Sequence, residues 1–191
     1  MKKIMICACL IAVFLMNSGC GLGKQNEVPP VSEVSNVDQP PPNYAGLTIV
    51  NGGVEWDPGS ESGKSFDETL LEMPFKVRIP EVPFQITHQA AEVVPASFQI
   101  IRLTFANADQ GEQLMLSITN STDKSKPEGE EGPPLDNGTP TWIQSNPNFS
   151  GLYWREDGLT YALASSKVEN RDFYPLYDVS ELVQIANSLG E

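Results

Sequence analysis

Residues Leu152–Leu163, with the sequence LYWREDGLTYAL, contain two β-prone runs on either side of Asp157-Gly158. An Asp-Gly pair in this position is typical of a two-residue type I′ turn, so these residues predict a β-hairpin. A two-residue turn also fixes the register, and side chains alternate between the two faces of the hairpin. One face therefore carries large apolar side chains that another element must cover. The predicted cross-strand pairs are Glu156 with Leu159, Trp154 with Tyr161, and Leu152 with Leu163.

The element predicted to cover this face is a helix close to the C-terminus. Asp178 is suited to cap its first turn, and Glu181 follows at the spacing of a capping box. Apolar residues then recur at helical spacing, and Gly190 is a typical helix stop. The predicted fold class is therefore α+β: an antiparallel β-sheet of hairpins and a meander, with one or two helices, including this C-terminal helix, packed on one face. The apolar helix positions are Val179, Leu182, Val183, Ile185, Ala186 and Leu189.

Two stretches nearer the middle of the chain, 97–106 and 112–119, alternate apolar with polar residues and predict paired strands. The turn-rich residues 107–111 connect them, so the three segments predict a β-meander. Residues 74–83 alternate in the same way, and the prolines within and at the ends of this segment predict an edge strand.

The N-terminal part of the predicted domain contains a hairpin and a helix. Asn51-Gly52-Gly53 interrupts the β-prone residues 47–56 and predicts a tight turn between two strands. Ser65 and Glu68 have the spacing of a capping box, which predicts a short helix over 66–73.

Residues 120–139 break the alternating pattern with prolines, glycines and acidic residues, and this composition predicts a disordered acidic loop. The acidic residues lack the regular spacing of a calcium-binding loop, so no metal site is predicted there. A short strand is predicted after the loop, around Trp142.

Residues 1–19 have the pattern of an export signal, in which two lysines precede a short apolar run and then small residues. The run is shorter than the roughly 20 residues that a membrane-spanning helix needs. The Ser-Gly-Cys sequence that ends at Cys20 resembles the lipobox of bacterial lipoproteins, although Asn17 stands where that family usually has Leu. The resemblance implies that a diacylglycerol is attached to the thiol of Cys20, which becomes the new N-terminus.

This resemblance implies a lipoprotein on the extracytoplasmic face of a cell membrane, in a bacterium with one membrane or two. Residues 20–43, rich in proline and polar residues, predict a disordered tether between the lipid and a single folded domain, 44–191. Cys7 and Cys9 lie within the signal, so the mature domain is predicted to have neither a free thiol nor a disulfide.

The net charge of the chain is −13 over 191 residues. Nucleic-acid binders need a positive surface that displaces counterions from phosphate, so nucleic acid is not predicted as a partner. Strong acidity favours solubility or a cationic partner.

Three pieces of the chain together resemble a bacterial extracellular domain family of unknown function, number 4367. They are the Pro-Phe-Lys-Val start of 74–83, the hairpin Leu152–Leu163 and the helical residues 181–189. The resemblance covers 74–189 and implies a fold similar to lipoprotein carriers, in which a curved sheet holds an apolar ligand. It implies no catalytic residues.

Residue types suited to catalysis are sparse. The single histidine, His88, is expected to lie exposed near a strand end, and a zinc site would need several His or Cys ligands. Glu156-Asp157 is expected to point to water from its turn, and Glu130-Glu131 lies in the acidic loop. Neither pair has the fixed environment that a carboxylate-based hydrolase requires. The chain is therefore predicted to be non-catalytic and without a cofactor, and an envelope hydrolase is the least favoured hypothesis.

Aromatic residues are the remaining candidates for a binding surface. Trp154 is assigned to the core because it pairs with Tyr161. The first hypothesis is a lipoprotein whose domain binds an envelope protein or another envelope component. The alternative is a carrier or envelope sensor for an apolar ligand. The candidate binding residues are Trp56, Trp142, Phe173, Tyr174 and Tyr177.

Overall fold

A computed structural model describes residues 44–59, 63–123, 125, 127 and 129–189. The predicted signal, the lipidated Cys20, the tether over 20–43 and the helix stop at Gly190 lie outside the described residues and stay predictions.

The first element is the hairpin predicted around Asn51-Gly52. Strand β1 spans Gly46–Val50 and strand β2 spans Gly53–Asp57, and the two pair antiparallel. The turn residues adopt φ angles of 51° and 83°. Such left-handed values cost little at Asn and Gly, which explains why the turn forms here.

The other eight strands of the described residues form one antiparallel sheet with the spatial order β3-β4-β5-β9-β8-β7-β6, and β10 pairs with the far end of β9. The two halves of the sheet meet at β9, which pairs with β5 on one side and β8 on the other. The strands are β3 His88–Val94, β4 Ile100–Asn107, β5 Glu112–Thr119, β6 Glu130–Gly132, β7 Thr141–Ile143, β8 Ser150–Glu156, β9 Leu159–Glu169 and β10 Asp172–Tyr174.

The predicted register of β8 and β9 is confirmed at all three pairs. Trp154 and Tyr161 stack with ring centroids 5.0 Å apart and an interplanar angle of 4°. Both side chains are fully buried, as the sequence predicts. Stacked aromatic rings of this size dominate the energetics of a small core.

Both helices cover the same face of the sheet. Helix α1 spans Phe66–Leu71 and helix α2 spans Val179–Asn187, and each begins with the predicted capping box, at Ser65 and at Asp178. Apolar residues of both helices pack on one continuous core with β3, β4, β5, β8 and β9. The α+β fold class is therefore confirmed, although α1 ends before the predicted residue 73.

The prediction of an edge strand over 74–83 is wrong. These residues run extended over the core without pairing, and Ile79, which the alternation places on the same face as Phe75 and Val77, is 44% exposed. The prolines lack the N–H groups that a ladder needs, so the segment is held by packing of Phe75, Val77 and Val82 on the core and by polar contacts of Arg78 and Glu81. The edge strand is instead β3, which the sequence missed because its first residues are polar or small and do not alternate.

The acidic residues 120–139 are more ordered than predicted where the structure describes them. Residues Glu130–Gly132 form β6 and pair with β7, the strand predicted around Trp142. Leu135 is buried in the main core. At a sheet edge, backbone pairing depends little on the side chains, so the acidic composition of this segment did not prevent β6 from forming.

The hairpin of β1 and β2 covers part of the opposite face of the sheet, and the sequence predicted the hairpin but not this position. Glu92 on β3 accepts a hydrogen bond from the backbone N–H of Ala45 at 2.8 Å, and Gln113 on β5 accepts one from Leu47 at 2.6 Å. The guanidinium of Arg102 lies 3.9 Å from the ring centroid of Tyr44. Strand β4 is consequently buried on both faces.

Candidate functional site

The five candidate binding residues do not form one surface. Trp56 belongs to the hairpin and stacks on His88, with ring centroids 5.3 Å apart. His88 begins β3 and is exposed, as predicted. Its Nδ1 lies 2.9 Å from the hydroxyl of Thr87. Trp56 therefore helps to dock the hairpin on the sheet.

Trp142 lies on the same face as the hairpin, at the other side of the sheet. Its ring meets Tyr153 edge to face at 6.1 Å. Arg155 completes the cluster, because its Nε donates to the Tyr153 hydroxyl at 3.2 Å and its guanidinium lies 5.7 Å from the ring centroid. All three side chains are half-buried, so their contacts with one another occupy much of the surface that a ligand would use.

Phe173 and Tyr174 are neighbours on β10 and point to opposite faces of the sheet. Phe173 is half-buried, whereas Tyr174 is 40% exposed. They cannot contribute to the same side of one site.

Tyr177 is the candidate residue that lies in a groove. The groove has a volume of about 280 Å³ and runs between the extended segment 81–83 and helix α2. Its floor is apolar, and carboxylates lie on both walls. The lining residues are Glu81, Val82, Pro83, Tyr177, Glu181, Gln184, Ile185 and Ser188.

One end of the groove is fixed by two buried serines. Ser150 on β8 and Ser165 on β9 lie 3.0 Å apart between their hydroxyl oxygens. The backbone N–H of Tyr177 donates to Ser165 at 3.2 Å, and the Tyr177 carbonyl accepts from Ser150. The chain before α2 is therefore tied to the two central strands of this half of the sheet.

The other end of the groove is fixed by Ser188, the residue that caps the C-terminus of α2. Its hydroxyl accepts from the backbone N–H of Glu81 at 2.8 Å and donates to the carbonyl of Ile185 at 2.6 Å. This contact links the extended segment to the last turn of α2. With both ends held by hydrogen bonds, the groove is formed before any ligand arrives.

The groove is electrostatically negative. Glu81 lines the end beside Ser188 and Glu181 lines the end beside Tyr177, and the lining residues, all of which the structure describes, include neither Lys nor Arg. Glu181 accepts from the backbone N–H of Asp178 at 2.8 Å, which holds its carboxylate beside the helix start. Burial raises the pKa of the Tyr177 hydroxyl, and the nearby carboxylates of Glu112 and Glu181 raise it further.

The Glu156-Asp157 pair differs from its prediction, because Glu156 does not point to water. Arg78 on the extended segment binds Glu156 at 3.2 Å and Asp157 at 2.7 Å. The Glu156 side chain is 19% exposed. Glu156 and Asp157 thus hold the extended segment over the core. Within the described ranges, no group of three or more His, Cys, Asp or Glu residues could hold a metal ion.

Sequence reasoning found Tyr177 but missed the other groove wall. Residues 81–83 were assigned to the end of a strand, and Ser188 and Gln184 carry no pattern that marks them as groove residues. The Pro80 and Pro83 pair was the available clue, because a segment that cannot join a ladder must be held from outside the sheet.

No helix among the described residues is long and apolar enough to cross a membrane. No family model, curated protein or solved structure matches this chain.

Proposed function

We propose that this chain is a lipid-anchored bacterial envelope protein whose domain, 44–191, binds another protein or envelope component without catalysis. The anchor rests on the lipobox-like sequence that ends at Cys20. The likeness to the family of unknown function 4367 stays a prediction and adds no site residue.

The observation that carries the binding function is the groove beside α2. It is open to solvent, its floor is apolar, and its ends are fixed by hydrogen bonds in which Ser150 donates and Ser165 and Ser188 accept. A preformed concave surface with a few polar groups is the usual form of a binding site. Preorganisation also lowers the ordering cost of association.

A carrier for an apolar ligand is the second candidate, and it has less support. In such a carrier the ligand would lie between sheet and helices. Here Trp154, Tyr161 and Leu182 fill that layer and are fully buried. Saturable quenching of tryptophan fluorescence by a fluorescent fatty acid would favour the carrier over the interaction domain.

The binding function is tested by photo-crosslinking in the envelope. A photoreactive amino acid replaces Gln184 in the groove of the full chain, and the matched control replaces the exposed Glu55 on the hairpin. We expect a discrete covalent adduct from position 184 only. Equal adducts from both positions, or none from 184, would contradict a binding role for the groove.

The anchor is tested separately by Cys20→Ala. We expect the native chain in the membrane fraction, with a diacylglycerol mass on the peptide that begins at Cys20, and the variant in the soluble fraction. An unmodified peptide across Cys20, or identical fractionation of the two chains, would remove the anchor from the proposal.

A further inference from the structure

We propose that the groove beside α2 takes an arginine or lysine side chain from a basic segment of a partner protein. This inference rests on the proposed binding function and specifies the chemistry of its ligand. The aliphatic part of the side chain lies on Val82 and Ile185, and its cationic head lies at the end of the groove formed by Glu181 and the ring of Tyr177.

The shape of the groove fits a long side chain with a polar end. Val82, Pro83 and Ile185 provide an apolar floor, and the ring of Tyr177 adds an aromatic surface. Lys and Arg bury their methylene stems on such surfaces while the charged head stays near water. A cation beside an aromatic ring gains a further attraction.

The charge of the groove selects the sign of the ligand. Glu181 lies with Tyr177 at one end of the groove and Glu81 lies beside Ser188 at the other end, and the lining residues, all of which the structure describes, include no cation. A chain of net charge −13 also attracts cations at a distance. An anionic headgroup or a phosphorylated segment would meet repulsion at every approach.

A protein segment suits the groove better than a free amine. The groove is open to solvent rather than enclosed, so a polypeptide is able to continue beyond the inserted side chain. The backbone of the 81–83 wall is held at Glu81 by Ser188, and the start of α2 is held by its capping box, so little ordering is needed on binding. A single inserted cationic side chain with continuing backbone is a common anchor of protein interfaces.

The probe is a pair of fluorescent nonapeptides that differ in one group. Both contain neutral residues around one central position, which is arginine in the first and citrulline in the second. Citrulline keeps the shape of arginine and removes its charge. Binding to the full chain in a neutral detergent is followed by fluorescence anisotropy at low and at high salt.

Three single variants and one double variant, which combines Glu81→Gln with Glu181→Gln, locate the interaction. Glu81→Gln and Glu181→Gln remove charge but leave an amide oxygen, so the capping contact of residue 181 is retained. Glu55→Gln makes the same charge change on the exposed hairpin and is the matched control. Urea denaturation of each variant verifies that it is folded before binding is compared.

We expect arginine to bind about tenfold more tightly than citrulline, and the double variant to lose about tenfold, with Glu55→Gln within about twofold of the native chain. High salt should erase most of the difference. Equal binding of the two peptides, or equal effects of the groove and hairpin variants, would overturn the inference.

The crosslinking experiment tests the binding function of the groove separately from the basic character of its ligand. If position 184 yields an adduct whose crosslinked peptide contains no Lys or Arg, the basic ligand is wrong and the binding function stands. If position 184 yields no adduct and neither peptide binds, both are wrong. An adduct mapped to a basic segment supports both.

Discussion

At the scale of single residues, Arg78 has an organising role that sequence patterns do not reveal. It is part of an extended segment that forms no ladder, and it binds Glu156 and Asp157 at the turn between β8 and β9. Its side chain is 21% exposed, so the pair is partly shielded from solvent. This contact holds the segment on the core, and with it one wall of the groove.

Arg78→Met should lower the free energy of unfolding by about 1–2 kcal/mol, because it leaves two acceptors without their charged donor. Urea denaturation measures the change. Lys64→Met is the control, because it removes an ion pair with Glu72 in which the two side chains are 50% and 40% exposed. It should lower the free energy of unfolding by no more than about 0.5 kcal/mol. Equal losses in the two variants would show that Arg78 is an ordinary surface residue.

Glu92 is the second informative residue. One carboxylate oxygen accepts from Ala45, and the other is buried without a hydrogen-bond partner among the described residues. Burial raises the pKa of Glu92, while the Ala45 bond and the charge of Arg102 act in the opposite direction, and Asp57 raises it again. The hairpin is therefore docked over a carboxyl group that ionises reluctantly.

The pH dependence follows from this direction. A folded-state pKa above the usual 4.5 means that the stabilisation by protonated Glu92 is complete below 4.5 and is lost as the pH rises through the raised pKa. Relative to Glu92→Gln, the native chain should lose stability in urea denaturation series as the pH rises from about 4.5 through the raised pKa of Glu92.

Glu68→Gln is the control of opposite sign. Hydrogen bonds from Ser65 lower the pKa of Glu68, so its contribution is present above the usual value and is lost as the pH falls through the lowered one. Parallel pH profiles for Glu92→Gln and the native chain would contradict the assignment.

At the scale of elements, the sequence predicted the turns, helix starts and strand pairs that depend on residues close together in the chain. The turns at Asn51-Gly52 and Asp157-Gly158, the two capping boxes and the meander over β4 and β5 each depend on neighbours in sequence. The prediction for segment 74–83 was wrong, because its alternating apolar residues pack on the core although its backbone pairs with no strand. Of the groove, only Tyr177 was found, since its other wall comes from that misassigned segment.

At Gly151, strand β8 lies unusually close to the backbone of Gln144, and no sequence pattern predicts this contact. A Cβ added at this position in β8 would lie 2.4 Å from the backbone oxygen of Gln144. Gly151→Ala should therefore cost about 1–3 kcal/mol by forcing the backbone apart, as thermal or urea denaturation would show.

Gly53→Ala is the matched control. Its added Cβ would lie 3.7 Å from the Val50 oxygen, an ordinary contact, so the change should stay within about 0.5 kcal/mol. Equal stability of the two alanine variants would contradict the close contact between Gly151 and Gln144.

At the scale of the whole molecule, the two faces of the sheet are covered by different chemistry. The helix face is sealed by apolar side chains, whereas the hairpin is held on the other face by Glu92, Gln113 and Arg102 beside the buried Ala45 and Leu47. Sequence alternation could not show this, because polar residues on a strand predict exposure. The burial of Arg102 and Thr104 arises only from a distant segment.

Hydrogen exchange should separate the two layers. Amides of β1 and β2 should exchange through smaller opening free energies than those of β4, β5 and β9, because fewer apolar contacts hold the hairpin. Gln113→Ala should speed exchange in the hairpin further, since it removes the acceptor of the Leu47 N–H.

Gln110→Ala, in the exposed turn before β5, is the control and should leave the hairpin unchanged. One common opening free energy for hairpin and sheet would contradict a layered domain.

The position of β9 has a consequence for synthesis. It is the longest strand in the described part of the chain, it joins the two halves of the sheet, and it follows both of them in sequence. A nascent polypeptide that ends before residue 159 has β5 and β8 without their shared neighbour, and open strand edges of this kind invite pairing between molecules. Translation must therefore pass this strand before the sheet is complete, and a premature stop codon upstream leaves a product that aggregates instead of a smaller working domain.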